Sequence, residues 1–199
     1  MKKIVLDYLM SIVNKDKPRS EIQCQEIRYG LEAIYLNISK FIVFFIVNAI
    51  LRNFITSLLF LCFFIPIKSA SYGFHAKTSL QCWLMSGIGF VGLPLLTHHL
   101  YFNFYVKIIF IIYFILIFAA CSPADTPKKP IISKKLRLKL KLSSLIIVFA
   151  YAILILANSR FTNVIILAML FQSLLISPLT YFVFNTQYNN YLHYKVNNL

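Results

Sequence analysis

The chain has 199 residues, 59% of them hydrophobic and only 13% charged, with 20 Lys+Arg against 6 Asp+Glu and a formal net charge of +14. An ordinary soluble domain is about 45–50% apolar and about 25% charged, so a soluble globule and a disordered chain are both excluded. The cations lie between long apolar runs and are too few to line a nucleic-acid groove, so no nucleic-acid partner is expected and the charge points to anionic lipid head groups or an acidic peptide.

Residues 1–33 read as helical but not spanning. Ile4, Val5, Tyr8, Leu9 and Ile12 share one helical face. Asp7 interrupts the apolar run and no small-residue cleavage site follows, so an amphipathic helix at the membrane interface is expected rather than a signal peptide. Residues 34–51 form the first expected span, with Lys40 snorkelling to the interface. Arg52-Asn53 ends it. Residues 54–67 form a short second span that extends to residue 71 if Lys68 also snorkels. The third span, residues 79–97, contains Gly87, Gly89, Gly92 and Pro94, and its glycines permit close helix contact. A re-entrant pair is the rival reading for spans two and three. Residues 102–121, 145–157 and 161–184 are the fourth, fifth and sixth. Asn48 and Gln172, inside spans, are expected to hydrogen-bond between helices.

The fold class that follows is an all-α polytopic membrane protein of about six spans, a single membrane-embedded domain over residues 1–199 with a tail from 185. With the N-terminus inside, 17 of the 20 basic residues fall on inner segments, and Arg52, Lys107 and Arg160 remain toward the outer ends. The positive-inside rule therefore predicts both termini in the cytoplasm.

Between spans four and five, Pro123, Pro127 and Pro130 disfavour helix and favour an extended path. Leu136, Leu138, Leu140 and Leu142 then alternate with Arg137, Lys139 and Lys141, a period of two that predicts a strand or an interfacial ribbon. This 121–142 segment reads either as a lipid-anchoring loop or as an attractor for an acidic peptide, with Lys128, Lys129, Lys134 and Lys135 as substrate-binding candidates.

Chemistry is expected between spans two and three, where His75 and Cys82 stand seven residues apart. A thiol with an imidazole to activate it, and to protonate a leaving amine, is the pairing a cysteine protease needs. On one continuous helix seven residues rise about 10.5 Å, too far for a hydrogen bond of about 3 Å. A dyad therefore requires His75 to lie off the helix. Gly73 makes the bend cheap, and Thr78 or Ser79 is a suitable N-cap, which places Cys82 in the first turns of the helix. By residue type alone, an interfacial His beside a small core Cys fits the same spacing. The other thiols, Cys24, Cys62 and Cys121, form no paired spacing, so neither a disulfide framework nor a metal site is indicated. No cofactor is implied.

The segment Lys68, Tyr72-Gly73, His75, Cys82, Ser86 resembles the active-site pattern of the accessory gene regulator B (AgrB) proteins: an Arg, two glycines, a His, a Cys seven later and a Ser four after that. The Pro123–Ile131 stretch is similar to that family's proline-rich segment, and Arg28-Tyr-Gly-Leu-Glu32 to its N-terminal stretch. The three matches occur in the family's order over residues 28–145. Lys68 stands where the family has Arg, keeping the charge without the fork, and Tyr72 stands where it has the first Gly. The resemblance implies a membrane cysteine endopeptidase of the bacterial cytoplasmic membrane, acting as a homodimer in quorum sensing. Its partner would be an AgrD-like propeptide with an amphipathic leader and an acidic tail. His75 and Cys82 would be catalytic, and Lys68, Gly73 and Ser86 supporting.

Ser86, one turn beyond Cys82, either orients His75 or bonds its own helix. Glu32 reads as an inner-face acid that positions a helix or His75, or as a surface ion-pair member. His98 and His99 diverge on a helix, which disfavours metal binding. The competing function classes are a small membrane transporter or channel component exporting a peptide, and a non-enzymatic scaffold. Paired intramembrane charges, inverted repeats and a nucleotide site are not evident in the sequence.

Overall fold

Capping side chains, prolines and glycines cut the apolar runs into helices. The computed structural model describes residues 2–13, 20–76, 78–126 and 130–192, and among them every regular element is helical. Five helices are long and apolar enough to cross a bilayer, and a sixth apolar helix is shorter. The protein is thus an all-α polytopic membrane protein. It divides into two compact units, residues 1–50 and 51–199.

The first unit consists of α1 (Lys2–Val13) and α2 (Glu21–Ile50). Val5, Tyr8 and Ile12 of the expected apolar face of α1 are exposed, while Leu6 is buried. Asp7 pairs with Arg28 of α2 at 3.0 Å. Both side chains are about half exposed, so the pair contributes at most about 1 kcal/mol. α2 runs without interruption for 30 residues, so the expected boundary between residues 33 and 34 falls inside a helix. Gly30 does not break it, because one helical glycine costs only about 1 kcal/mol. Asn48, expected to reach another helix, donates to Phe44 O of its own helix at 2.8 Å.

The second unit runs through α3 (Phe54–Ser71), α4 (Ser79–Gly87), a π-helical turn (Ile88–Gly92) and α5 (Leu93–Leu96). It continues with α6 (Phe104–Cys121), α7 (Lys134–Leu156), α8 (Thr162–Ile176), α9 (Pro178–Val183) and a 3-10 turn (Asn190–Leu192). α8 is the centre. Val164 to Met169 are all buried, as expected of a helix that is apolar on every side, and α3, α6 and α7 pack around it. Phe64 of α3 lies 5.4 Å from the Phe171 ring of α8 and 6.1 Å from Phe90. Gly89 permits the third span to close on this cluster, since a Cβ there would sit 2.6 Å from the Phe171 ring.

Two elements differ from the sequence expectation. The 134–142 stretch is not a strand or ribbon but the first turns of α7, which begins 11 residues before the expected span. Lys, Leu and Arg are good helix formers, the stretch lacks β-branched residues, and Ser133 caps it by accepting Leu136 N at 3.4 Å. Propensity and capping outweigh the period of two. The sixth span does not run to residue 184. Pro178 pushes Ser177 into an extended conformation (φ −67°, ψ 137°), and Ser177 Oγ then caps α9 by accepting Leu179 N at 3.2 Å. The remaining 15 residues of α8 rise about 22 Å, short of the roughly 30 Å hydrocarbon core.

Polar contacts gather at the two ends of this unit. At one end His98 Nε2 meets Asn53 Oδ1 at 2.9 Å and Thr56 Oγ1 at 3.1 Å, Asn163 Nδ2 donates to Leu100 O at 2.8 Å, and Lys107 Nζ donates to Asn158 Oδ1 at 2.6 Å. At the other end lie the 71–76 and 122–126 segments. Arg160 falls at the first end and Lys68 at the second.

Candidate active site

The site starts where α3 stops. Tyr72 takes positive φ (φ 57°, ψ −122°) and Gly73 follows at φ 107°. Gly73 is required twice over, since its φ disfavours side chains and a Cβ would meet Leu175 O at 2.8 Å. The turn is tied on three sides by backbone bonds. Gly73 N donates to Ala124 O at 2.8 Å, Ala124 N donates to Ser71 O at 3.0 Å, and Phe74 N donates to Leu175 O at 2.8 Å. Leu175 O is open to Phe74 because α8 ends one residue later, leaving its last carbonyls without helical donors.

Side chains complete the anchoring. Gln172 Nε2, fully buried, donates to Ser71 Oγ at 2.6 Å and to Tyr72 O at 2.7 Å. The expected inter-helix role of Gln172 thus falls directly beneath the turn. Lys68 Nζ reaches Phe74 O at 3.5 Å, which places its ammonium against the residue before His75.

His75 lies in the non-helical stretch before α4 and is exposed, as the dyad geometry demands. The helix then starts with a capping box. Thr78 Oγ1 accepts Gln81 N at 3.3 Å, and Gln81 Oε1 accepts Thr78 N at 3.4 Å. Cys82 is half-buried at the fourth helical position, its N–H bonded to Thr78 O at 3.1 Å. The amides of Ser79 and Leu80 precede that first intrahelical bond and point along the positive end of the helix dipole.

A cavity of about 160 Å3 brings these residues together. Lys68, His75, Cys82 and Ser86 all line it, with Phe64, Phe74, Met85, Phe90, Phe171 and Leu175 as apolar walls. Gly73 stands outside the lining and acts through the backbone. An imidazole and a thiol on one apolar-walled cavity can perform nucleophilic acyl transfer with limited access for water. A larger cavity of about 500 Å3 lies at the opposite end, around Thr56, His98, Arg160 and Asn163; it contains no thiol.

The basic candidates are placed less simply. Lys128 and Lys129 lie outside the described residues. Lys134 and Lys135 are exposed on the first turn of α7. The basic residues that turn inward are Arg137 and Lys141, two members of the Leu-cation alternation. The helical spacing of four, with Ser144 and Val148 continuing the same face, is the signal that finds them.

The family model for accessory gene regulator B matches residues 3–176. An AgrB-like protein of Clostridium acetobutylicum is 30% identical over 98% of this chain and 96% of its own length. The accessory gene regulator protein B of Staphylococcus aureus strain MW2 is 27% identical, covering 88% of this chain and 94% of its own. An AgrB-like protein of Listeria innocua is 26% identical over 92% of each. No solved structure matches the chain.

Proposed function

Because the chain belongs to the accessory gene regulator B family, we propose that it is a membrane cysteine endopeptidase that removes the C-terminal tail of an AgrD-like propeptide in quorum sensing. The observation that carries the reading is the single cavity lined by His75, Cys82, Ser86 and Lys68.

His75 takes the proton of the Cys82 thiol, and the sulfur attacks the scissile carbonyl. The Ser79 and Leu80 amides at the start of α4 supply donors on the side where negative charge develops. His75 then delivers the proton to the leaving amine, the C–N bond breaks and the tail departs. The signal segment remains bound to Cys82 as a thioester. A thiol or hydroxyl of the same peptide attacks that thioester, giving a thiolactone or lactone and restoring the Cys82 thiol. The phenylalanine walls limit competing hydrolysis. Ser86, one turn beyond Cys82, orients the imidazole. The turn containing Gly73 holds His75 off the helix axis.

The charge distribution supports placing the site at the cytoplasmic face, where a newly made propeptide is found. Purified protein in liposomes with a candidate propeptide tests the reading. Wild type releases the tail and passes through a thioester intermediate; Cys82→Ala abolishes release, and His75→Ala slows it by about 10²–10⁴-fold. Cleavage unchanged in both variants overturns it.

A further inference from the structure

A second cavity opens at the same end of the unit, beside the 122–126 segment. Its volume is about 510 Å3, and Cys121, Arg137, Lys141, Pro178, Tyr188 and Tyr191 contribute to its wall. That segment is held to the His75 turn by the Gly73–Ala124 and Ala124–Ser71 backbone bonds.

The polar groups here are arranged for an anion. Arg137 and Lys141 are one turn apart on the inward face of α7. Asp125, fully buried, is engaged through Oδ2 by two backbone amides, Tyr191 N at 2.9 Å and Ile131 N at 3.3 Å. Arg137 Nη1 forms an ion pair with that oxygen at 3.9 Å, too long for a hydrogen bond, and is buried without a hydrogen-bond acceptor among the described residues. The Arg137 guanidinium stands over the Tyr191 ring, its Cζ 3.3 Å from the centroid. Stacking fixes the plane of the fork while leaving its edge to bond a ligand. Burial, and after it the neighbouring Cys121 thiol, pushes the Tyr188 phenol up, so Tyr188 stays a hydrogen-bond donor in the physiological range. Among the described residues the lining contains Arg137 and Lys141 and no carboxylate.

We propose that this cavity is a carboxylate-binding subsite for an acidic peptide, with Arg137 and Lys141 as its cationic ligands. It rests on the propeptide reading above and assigns the acidic tail a place against the segment that is bonded to the His75 turn. The walls favour a peptide over a lipid head group, since they come from loop backbone, tyrosines and helix ends rather than aliphatic helix faces. The inward pair, not the exposed Lys134 and Lys135 of the first turn of α7, selects the tail.

The test uses full-length Cys82→Ala protein in neutral phosphatidylcholine nanodiscs, which binds without turnover. The probe is fluorescein-labelled tetraglutamate, with tetraglutamine as control, read by fluorescence anisotropy. Tetraglutamate binds and tetraglutamine does not. Lys141→Gln weakens binding about tenfold, Lys141→Arg restores it, and Lys139→Gln, at an exposed position two residues away, changes it by less than about twofold. Equal effects at 139 and 141, or equal binding of the two peptides, overturns the subsite. Displacement of tetraglutamate by phosphatidylglycerol in the nanodisc, or by inorganic phosphate at the same ionic strength, assigns the site to phosphate and overturns it too. Cleavage by the wild type reports on Cys82 independently, so the two readings fail separately.

Discussion

The carbonyl of Leu175 accepts the backbone N–H of Phe74 at 2.8 Å, and the bond exists because α8 stops at Ile176. A helix continuing toward residue 184 would supply that carbonyl with its own donor four residues on. Pro178 therefore acts on the site from outside it. By ending the central helix early it provides an acceptor on which the His75 turn docks.

The same carbonyl makes Gly73 irreplaceable. Gly73→Ala forces a Cβ to 2.8 Å from Leu175 O at a φ of 107°. The strain is about 1–3 kcal/mol, and it is concentrated in the turn. Cleavage should fall steeply while helical circular dichroism is retained. An Ala variant with wild-type turnover would show that the turn does not position His75.

Tyr72 carries the opposite expectation. It sits at φ 57°, ψ −122°, a conformation suited to glycine, and it stands where the family pattern has the first Gly. Tyr72→Gly should raise stability by about 1 kcal/mol, the relieved strain exceeding the entropy glycine adds to the unfolded chain. Thermal unfolding followed through Trp83, the sole tryptophan and the neighbour of Cys82, measures it. A lower midpoint would mean that contacts of the phenol ring outweigh the strain.

Much of this was legible in the sequence. The all-α membrane class followed from apolar content, His75 off the helix followed from the rise per residue once a dyad with Cys82 was required, and a cap at Thr78 or Ser79 followed from their side chains. The start of α7 was not legible, because Leu136 to Leu142 carry two periodicities at once and only packing decides between them. Arg137 and Lys141 were missed for that reason. The end of α8 was signalled by Pro178, but the apolar run on both sides obscured it. What no local pattern encodes is the long-range pairing of Gly73 with Ala124 and of Gln172 with Ser71.

Gln172 tests that pairing. Its amide donates to both Ser71 Oγ and Tyr72 O in a fully buried setting. Gln172→Leu leaves one buried and one part-buried acceptor without that donor and should cost about 2 kcal/mol. In a double-mutant cycle with Ser71→Ala the two losses should be non-additive by more than about 0.5 kcal/mol. Additivity would show that the 2.6 Å bond carries no coupling.

Lys68 separates charge from geometry. Its Nζ lies 3.5 Å from Phe74 O and lines the same cavity as His75 and Cys82. A positioning residue acts by holding the carbonyl that precedes His75, so any cationic donor of similar reach should serve. Lys68→Arg should keep cleavage within a few-fold of wild type. Lys68→Met, of similar length without the donor, should lower kcat by about 10²-fold through displacement of His75 while leaving KM for the propeptide little changed. A KM effect with constant kcat would instead make Lys68 a substrate-binding group. Loss of activity in Lys68→Arg would mean that the cavity tolerates the ammonium but not the larger guanidinium, and that the family's usual Arg is accommodated elsewhere by the glycine that Tyr72 has replaced here. The double variant Lys68→Arg/Tyr72→Gly decides that point, since it should then recover what the single variant lost.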